Sequence, residues 1–424
     1  MIGTVDVNRK EVTIVGAGIS GMLAAYTLDS SGYQVTLFEE KQSAGGLINT
    51  RKTEFGPSES AAHSLIASEP VRELCRDLGV ELLLPREGSK AKYILRNREL
   101  RRFPLTLREV LETAGHAVSA TSVDGEGENL DEWGRRHLGT AALDYLLTPF
   151  VRGIYGVQPA QLGVSTAFPS LMLPAGKTLF GTLISNRRKR KKKREVKERA
   201  APRFGMGDLV GKLEQRLEQR LGSRFRRGER ITKLPEAANV LIATPAYTAA
   251  KMLAPVVPNL AAELANVRYT PIVSITAFVR QDALARPING VGVLMPAREN
   301  TKALGILFNS SSFEYRVTDD ATLASFTVMM GGTSQPHWLN ASDDEIKFTI
   351  SEELTELLGV REPLAMVIHR WPRALPQYSV DLGKVWQTAR QTWCSQPGRI
   401  LFGNYTGQIS LRGMIESAMS PGWH

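Results

Sequence analysis

The residues with the clearest chemical potential lie in the first forty. Glu11 to Val15 alternates toward β-branched side chains and runs into Gly16-Ala17-Gly18-Ile19-Ser20-Gly21. Met22 to Leu28 then has helical composition, and Gly32 supplies a stop. Gln34 to Phe38 reads as a second strand ending at Glu39, eighteen residues beyond the last glycine of the turn. A strand, tight turn, helix and strand at this spacing suit a dinucleotide. Gly16 permits the turn, Gly18 lets a pyrophosphate approach the backbone, and Gly21 lets helix and strand pack closely. The helix N-terminus favours the negative charge, and Glu39 can accept hydrogen bonds from a ribose diol.

Other chemistries lack carriers. No Ser/His/Asp set and no paired carboxylates at a plausible spacing appear. Cys75 and Cys394 match no zinc or redox spacing, and the six histidines form no paired ligand motif, so no metal is expected. A second glycine pair, Gly45-Gly46-Leu47-Ile48-Asn49-Thr50, follows Glu39 closely, and Phe55-Gly56-Pro57 comes next. Near the far end, Arg399 to Phe402 reads as a buried strand entering Gly403-Asn404-Tyr405-Thr406-Gly407, with a helix from Ser410 to Met419. A second glycine turn before a second helix suits the other end of an extended cofactor, its amides facing a flavin ring or ribityl chain.

The elements that must position these turns can be read along the chain. Gly205-Met206-Gly207 precedes a helix with Leu209, Leu213, Leu217 and Leu221 on one face, and Asn239 to Pro245 is a buried strand stopped by proline. Residues 98–165 read largely helical. Residues 247–370 alternate strand-like runs, such as Ile272 to Val279 and Phe326 to Met330, with polar turns.

The glycine turn, the GGxxxT and FGP segments and the terminal GNYxGxxxxGxIES together resemble the flavin amine oxidase superfamily, and within it the protoporphyrinogen oxidase branch. Tyr93-Ile94-Leu95, Pro149 to Gly156, Leu304 to Phe308 and Arg370-Trp371-Pro372 resemble further landmarks of that branch, in its order along nearly the whole chain. The resemblance implies an α/β fold: a Rossmann-type FAD-binding domain, a mixed-sheet substrate domain and a helical membrane-associating region. The corresponding segments are 1–84, 204–246 and 371–424 for the first, 85–97, 166–203 and 247–370 for the second, and 98–165 for the third.

It also implies non-covalent FAD, held by Gly16, Gly18, Ile19, Ser20, Gly21, Glu39, Glu40, Gly45, Gly46, Leu47, Gly56, Pro57, Ile231, Thr244, Trp371, Gly403, Asn404 and Ile409. No side chain is expected to be catalytic, because flavin N5 takes the hydride from a porphyrinogen methylene bridge and dioxygen reoxidises the flavin. Leu294, Leu307 and Met329 match the apolar walls of a substrate pocket, and Lys92 a propionate partner. Three departures from the family pattern bear on this. Lys92 stands where an arginine is common, so the charge stays while the bidentate fork is lost. Met329 replaces an aromatic. Only Gly222 to Asn239 remains where the family has a longer β-meander, with Ile231 and Leu234 matching its adenine-facing strand.

Protoporphyrinogen IX is the first expectation for substrate and coproporphyrinogen III the alternative. An amine oxidase would more commonly show a GGR form, where Leu47 follows the glycine pair here. A flavin-free protein using its basic run on RNA is a further class, although nucleic acid is not an expected partner.

Composition limits the rest. The 424 residues allow two or three domains with a large core, and 42% apolar with 23% charged residues excludes a disordered chain or a multi-span membrane protein. The net charge is +10, but Arg187 to Arg199 holds ten basic and two acidic residues, so that run supplies +8 and everything else +2. Arg187 to Arg194 follows the apolar segment Phe168 to Ile184, a combination suited to anionic lipid. A cytoplasmic protein resting peripherally on a membrane is therefore expected. The resemblance adds dioxygen, the next haem-pathway enzyme and a second copy of the chain as partners.

Overall fold

A computed structural model of the chain describes residues 1–121, 127–182, 184, 198–285 and 287–420. The basic run Arg187 to Arg194 lies outside the described residues.

The glycine turn grows out of a five-stranded parallel sheet. Its strands are β1 (Glu11–Val15), β2 (Gln34–Glu39), β10 (Phe225–Arg227), β11 (Asn239–Ile242) and β17 (Arg399–Leu401), in the order β10-β2-β1-β11-β17. β1 pairs in parallel with both β2 and β11, Val15 lying beside Phe38 and Ile242, so the turn after β1 sits at the carboxyl edge of the central strand. In a doubly wound sheet that edge is where ligands bind. Helix α1 (Ile19–Ser30) is buried over most of its first three turns, as expected for a helix packed between sheet and neighbours. Helix α5 (Met206–Leu221) presents Leu209, Leu213, Leu217 and Leu221 to the same core, each at most 3% exposed, which is the leucine row read from the sequence.

The second large element is a seven-stranded mixed sheet in the order β16-β12-β15-β14-β13-β7-β8. It comprises β7 (Lys92–Arg96), β8 (Glu99–Arg101), β12 (Tyr269–Arg280), β13 (Gly292–Leu294), β14 (Ala303–Phe308), β15 (Leu323–Gly331) and β16 (Pro363–Pro376). All its pairings are antiparallel except β13 with β7. Because successive side chains alternate across a sheet, Tyr93, Leu95, Val293, Ile306, Phe308, Val328 and Met330 share one face. There they form a core with Ile346, Ile350, Leu354 and Leu357 of helix α6 (Asp343–Leu358). The other face carries Lys92, Leu294, Leu307 and Met329.

Two small sheets join the large ones. β3 (Thr50–Lys52) pairs with β4 (Pro57–Glu59), and β9 (Glu198–Pro202) pairs with β5 (Leu65–Ala67) and β6 (Leu82–Leu83). Residues 98–165 hold the hairpin strand β8 and then helices α2 (Leu107–Ser119), α3 (Leu130–Ala142) and α4 (Thr148–Tyr155), with a π-helical turn at Leu143–Leu147.

Three expectations differ from this arrangement. The limit drawn at residue 371 falls inside β16, where Trp371 pairs with Ile272. β9, assigned to the substrate segment 166–203, pairs instead with strands of segment 1–84 and buries Ala200 in their core. Ile231 and Leu234 belong to no described strand and pack against a different core cluster. The one strand of that stretch is β10, three residues paired to the outer edge of β2.

Candidate functional site

The two glycine turns meet. Gly18 bridges Gly45 in parallel, and the Gly45 N–H donates to the Ala17 carbonyl at 2.9 Å. Gly16, Gly45 and Gly46 have φ of +99°, +102° and +67°, backbone that side-chain-bearing residues rarely adopt. At Gly21 a Cβ would lie 1.9 Å from the Gly16 carbonyl oxygen, so glycine here sets the close approach of α1 to the strand end. At Gly18 an added Cβ would meet nothing within 4 Å. The turn therefore has open space on the side where a pyrophosphate would approach. Gly18 is also the N-cap of α1, and no side chain caps the helix, which leaves its first N–H groups for a ligand.

Glu39, at the end of β2, accepts from the Ala17 N–H through Oε2 at 2.8 Å and from the Lys41 N–H through Oε1 at 3.1 Å. Those bonds fix its carboxylate beside the glycine turn. Ile19 and Ser20 are buried in the first turn of α1, whereas Glu40 is exposed and lies 3.7 Å from Arg230. Thr244 follows β11, with its Cγ2 3.1 Å from the place a Gly16 Cβ would take, and its buried hydroxyl has no partner among the described residues. Such groups normally find a partner, and a cofactor along this edge would supply one.

The turn after β17 completes the edge. Gly403 precedes the half-buried Asn404 and Ile409, and α7 (Leu411–Ala418) starts with Ser410 as its N-cap, the Gly413 N–H donating to the serine hydroxyl at 3.1 Å.

Between the two sheets lies the β3–β4 segment. The Ser60 hydroxyl donates to the Leu47 carbonyl at 2.7 Å, and the Trp371 indole N–H donates to the Ser60 carbonyl at 2.6 Å. Gly56, at φ +144°, packs against the Arg316–Val317 backbone, and Pro57 begins β4. The fully buried Ser58 lies 2.9 Å from the Thr276 hydroxyl and 3.0 Å from His369 Nε2. The glycine turns at the carboxyl edge of the parallel sheet are thus linked, through Leu47, Ser60 and Trp371, to β16 of the mixed sheet. These residues fit a dinucleotide with an extended second half, and FAD is the cofactor. When bound, the flavin supplies a two-electron acceptor; the chain's part would be to hold the pyrophosphate on the amides of the glycine turn, to orient the cofactor and to exclude water. Cys75 and Cys394 are pushed up to about 12 by burial and lie outside the glycine segments, so neither is an activated thiol.

The four residues matched to the substrate pocket share the sheet face described above. Gly292 pairs with Leu307 on one side and Lys92 on the other, and Met329 pairs with Gly305. Leu294 projects toward α4, where a Cβ on Gly153 would be 2.4 Å from it. Lys92 is exposed at the rim, while Leu294, Leu307 and Met329 are half-buried. Charged groups that sequence reasoning passed over stand nearby: Glu59, His63, Arg199 and Arg316 line a cavity that also touches Leu307. They come from three distant stretches of chain, and His63 entered the sequence reading only as one of six histidines without a paired motif.

A parallel dinucleotide sheet married to a mixed substrate sheet defines a flavin-dependent oxidoreductase. The chain belongs to the flavin-containing amine oxidoreductase family, whose model matches residues 19–424. It is 29% identical to protoporphyrinogen oxidase 2, chloroplastic/mitochondrial, of Arabidopsis thaliana, over 97% of this chain and 92% of that protein. It is 22% identical to coproporphyrinogen III oxidase of Bacillus subtilis, over 88% of each. Among solved structures it is similar to cyclohexylamine oxidase of Brevibacterium oxydans, with a TM-score of 0.70 at 15% identity and 97% of each chain covered. A protein of Exiguobacterium sp. 255-15, provisionally assigned as a protoporphyrinogen oxidase, gives 0.75 at 20% identity over 97% of each chain. The cofactor, the enzyme class and the fold read from the motifs agree with these findings.

Proposed function

We propose that the protein oxidises a porphyrinogen to a porphyrin in tetrapyrrole biosynthesis, with protoporphyrinogen IX as substrate and dioxygen as the acceptor. The observation that carries this reading is the mixed-sheet face shared by the half-buried apolar side chains of Leu294, Leu307 and Met329, with Lys92 exposed at its rim. A flat, apolar macrocycle with ionised propionates matches such a strip. The names of the relatives point the same way. Oxidation removes six electrons and six protons from the macrocycle, and three dioxygen molecules take them up as three peroxides. A neighbouring pyrrole N–H becomes acidic once a bridge has lost hydride, so water or backbone suffices as base and no side-chain acid is needed.

Coproporphyrinogen III is the second reading, favoured by the two arginines in the cavity beside Leu307. Membrane contact also belongs to this proposal. On the described residues no helix is long and apolar enough to cross a bilayer. Helix α2 buries none of its residues, and Phe103, Leu107, Leu111 and Val118 are 54–77% exposed. An exposed apolar row of this kind marks an interaction surface, and delivery of a poorly soluble substrate from a bilayer gives it a use.

The test is aerobic turnover by the flavin-loaded enzyme, with porphyrin followed by its fluorescence and peroxide counted. Three peroxides per porphyrin are expected. Lys92→Ala should raise KM severalfold with little change in kcat, because a propionate contact is made equally in ground and transition states. Porphyrin formation no faster than spontaneous autoxidation would overturn the reading.

A further inference from the structure

The cavity that touches Leu307 measures about 30 Å³, roughly twice what one water needs. Three stretches of chain close on it. Glu59 and His63 come from the end of β4 and the loop after it, Arg199 from β9, and Phe313 and Arg316 from the segment between β14 and β15.

Hydrogen-bond donors are in excess there. Arg316 is 4% exposed; its Nη2 donates to the Pro202 carbonyl at 2.7 Å, while its Nε and Nη1 have no hydrogen-bond partner among the described residues. Arg199 Nη2 is likewise buried and unpartnered. Guanidinium nitrogens donate and never accept, so these groups cannot satisfy one another. His63 Nε2 is also without a partner among the described residues.

Negative charge is short as well. The two guanidinium groups flank one ring, 4.9 and 5.8 Å from the centre of Phe313. Glu59 lies 3.8 Å from Arg316, but its Oε1 accepts from the Met206 N–H at 2.9 Å and its Oε2 from the Thr50 hydroxyl at 2.7 Å. Burial disfavours both guanidinium charges and pushes the Glu59 carboxyl up. Burial, ahead of the Arg316 charge, holds His63 down at about 4, so its imidazole is neutral at neutral pH. Two cations against one engaged carboxylate leave a net positive charge. A buried charge is costly unless it is both paired and hydrogen-bonded. A water would take up donors and none of the charge, whereas an anion takes up both.

Size decides the kind of anion. The volume admits an ion of about a water's size with one water beside it, the water donating to His63 Nε2. A tetrahedral oxyanion is too large.

We propose that this recess binds one small monovalent anion of the halide class, held between Arg199 and Arg316. The proposal does not rest on the porphyrinogen reading. Its consequence is mechanical: β9 pairs with β5 and β6, while Arg316 leads into β15 of the mixed sheet. One ion bonded to both arginines ties those two parts of the molecule together, so it stabilises the folded protein.

The experiment compares thermal melts of the flavin-loaded protein in sodium gluconate, whose anion is too large for the recess, with melts in chloride and bromide at equal ionic strength. Chloride and bromide should each raise the wild-type melting temperature by about 3 °C over gluconate. The rise should be absent in Arg199→Met. Crystals grown in bromide should show an anomalous-scattering peak between Arg199 and Arg316. Equal wild-type melting in all three salts, or a rise retained in Arg199→Met, would overturn the proposal. So would a bromide peak without a melting shift, which marks an adventitious ion only. Should Arg199→Met fail to fold, the wild-type melts and the bromide map decide by themselves.

Discussion

Gly18 and Gly21 stand three residues apart and do different jobs, which makes them separable by substitution. A side chain at Gly18 meets no protein atom, whereas one at Gly21 collides with the Gly16 carbonyl. We expect Gly18→Val to fold with a melting temperature close to that of flavin-free wild type and yet purify without the 450 nm flavin band. Gly21→Ala should lose about 3 kcal/mol of stability, the upper end of the usual overpacking cost. Absorbance and thermal melts on both variants check this, and a fully yellow Gly18→Val protein would contradict placement of the pyrophosphate there. These glycines were legible because their conformational demands are local. Arg199, Arg316, Glu59 and His63 were not, because each looks like an ordinary surface or core residue until β4, β9 and the loop before β15 are folded together.

At the scale of elements, the joint between sheet and helical region is the bidentate pair of Arg96 in β7 and Glu109 in α2, at 2.7 and 2.9 Å. Glu109 also closes a capping box with Thr106 at the start of α2. The Arg96 hydrogen bonds, ahead of the capping bonds, hold the Glu109 carboxyl down at about 2. A carboxyl lowered on folding contributes stability that is present above its unfolded value of about 4.5 and is lost as pH falls through about 2. Glu109→Gln should therefore melt lower than wild type at pH 6, by about 1–2 kcal/mol for the cap and charged bonds together, and the gap should close between about pH 4.5 and pH 2. A gap independent of pH would contradict the ionic role. The strands and helices flanking the glycine turns, and the leucine row of α5, were readable from periodicity. The order of the mixed sheet was not, because β13 pairs with β7 across some two hundred residues and no local pattern encodes that partner. The short edge strand β10 was hidden for a related reason: three residues with one buried side chain carry almost no period.

For the whole molecule, the helical segment carries an exposed apolar row, which on the proposed reading meets lipid. Phe103, Leu107 and Leu111 follow one another at four-residue spacing, with Leu107 and Leu111 on one face of α2. Changing all three to serine should reduce co-sedimentation with anionic vesicles at least tenfold and leave flavin content intact. The basic run Arg187 to Arg194 should add a salt-sensitive part, since each basic residue near an anionic surface is worth about 1 kcal/mol. Equal sedimentation of wild type and the triple-serine variant would remove α2 from the membrane contact.

The most direct test of the central claim is anaerobic mixing of the flavin-loaded enzyme with protoporphyrinogen IX and, separately, coproporphyrinogen III. The account predicts that the 450 nm absorbance bleaches at a rate that saturates with porphyrinogen and returns on admission of air, with porphyrin fluorescence appearing in step. A flavin that stays oxidised with both porphyrinogens, or that bleaches only with an amine, would contradict it.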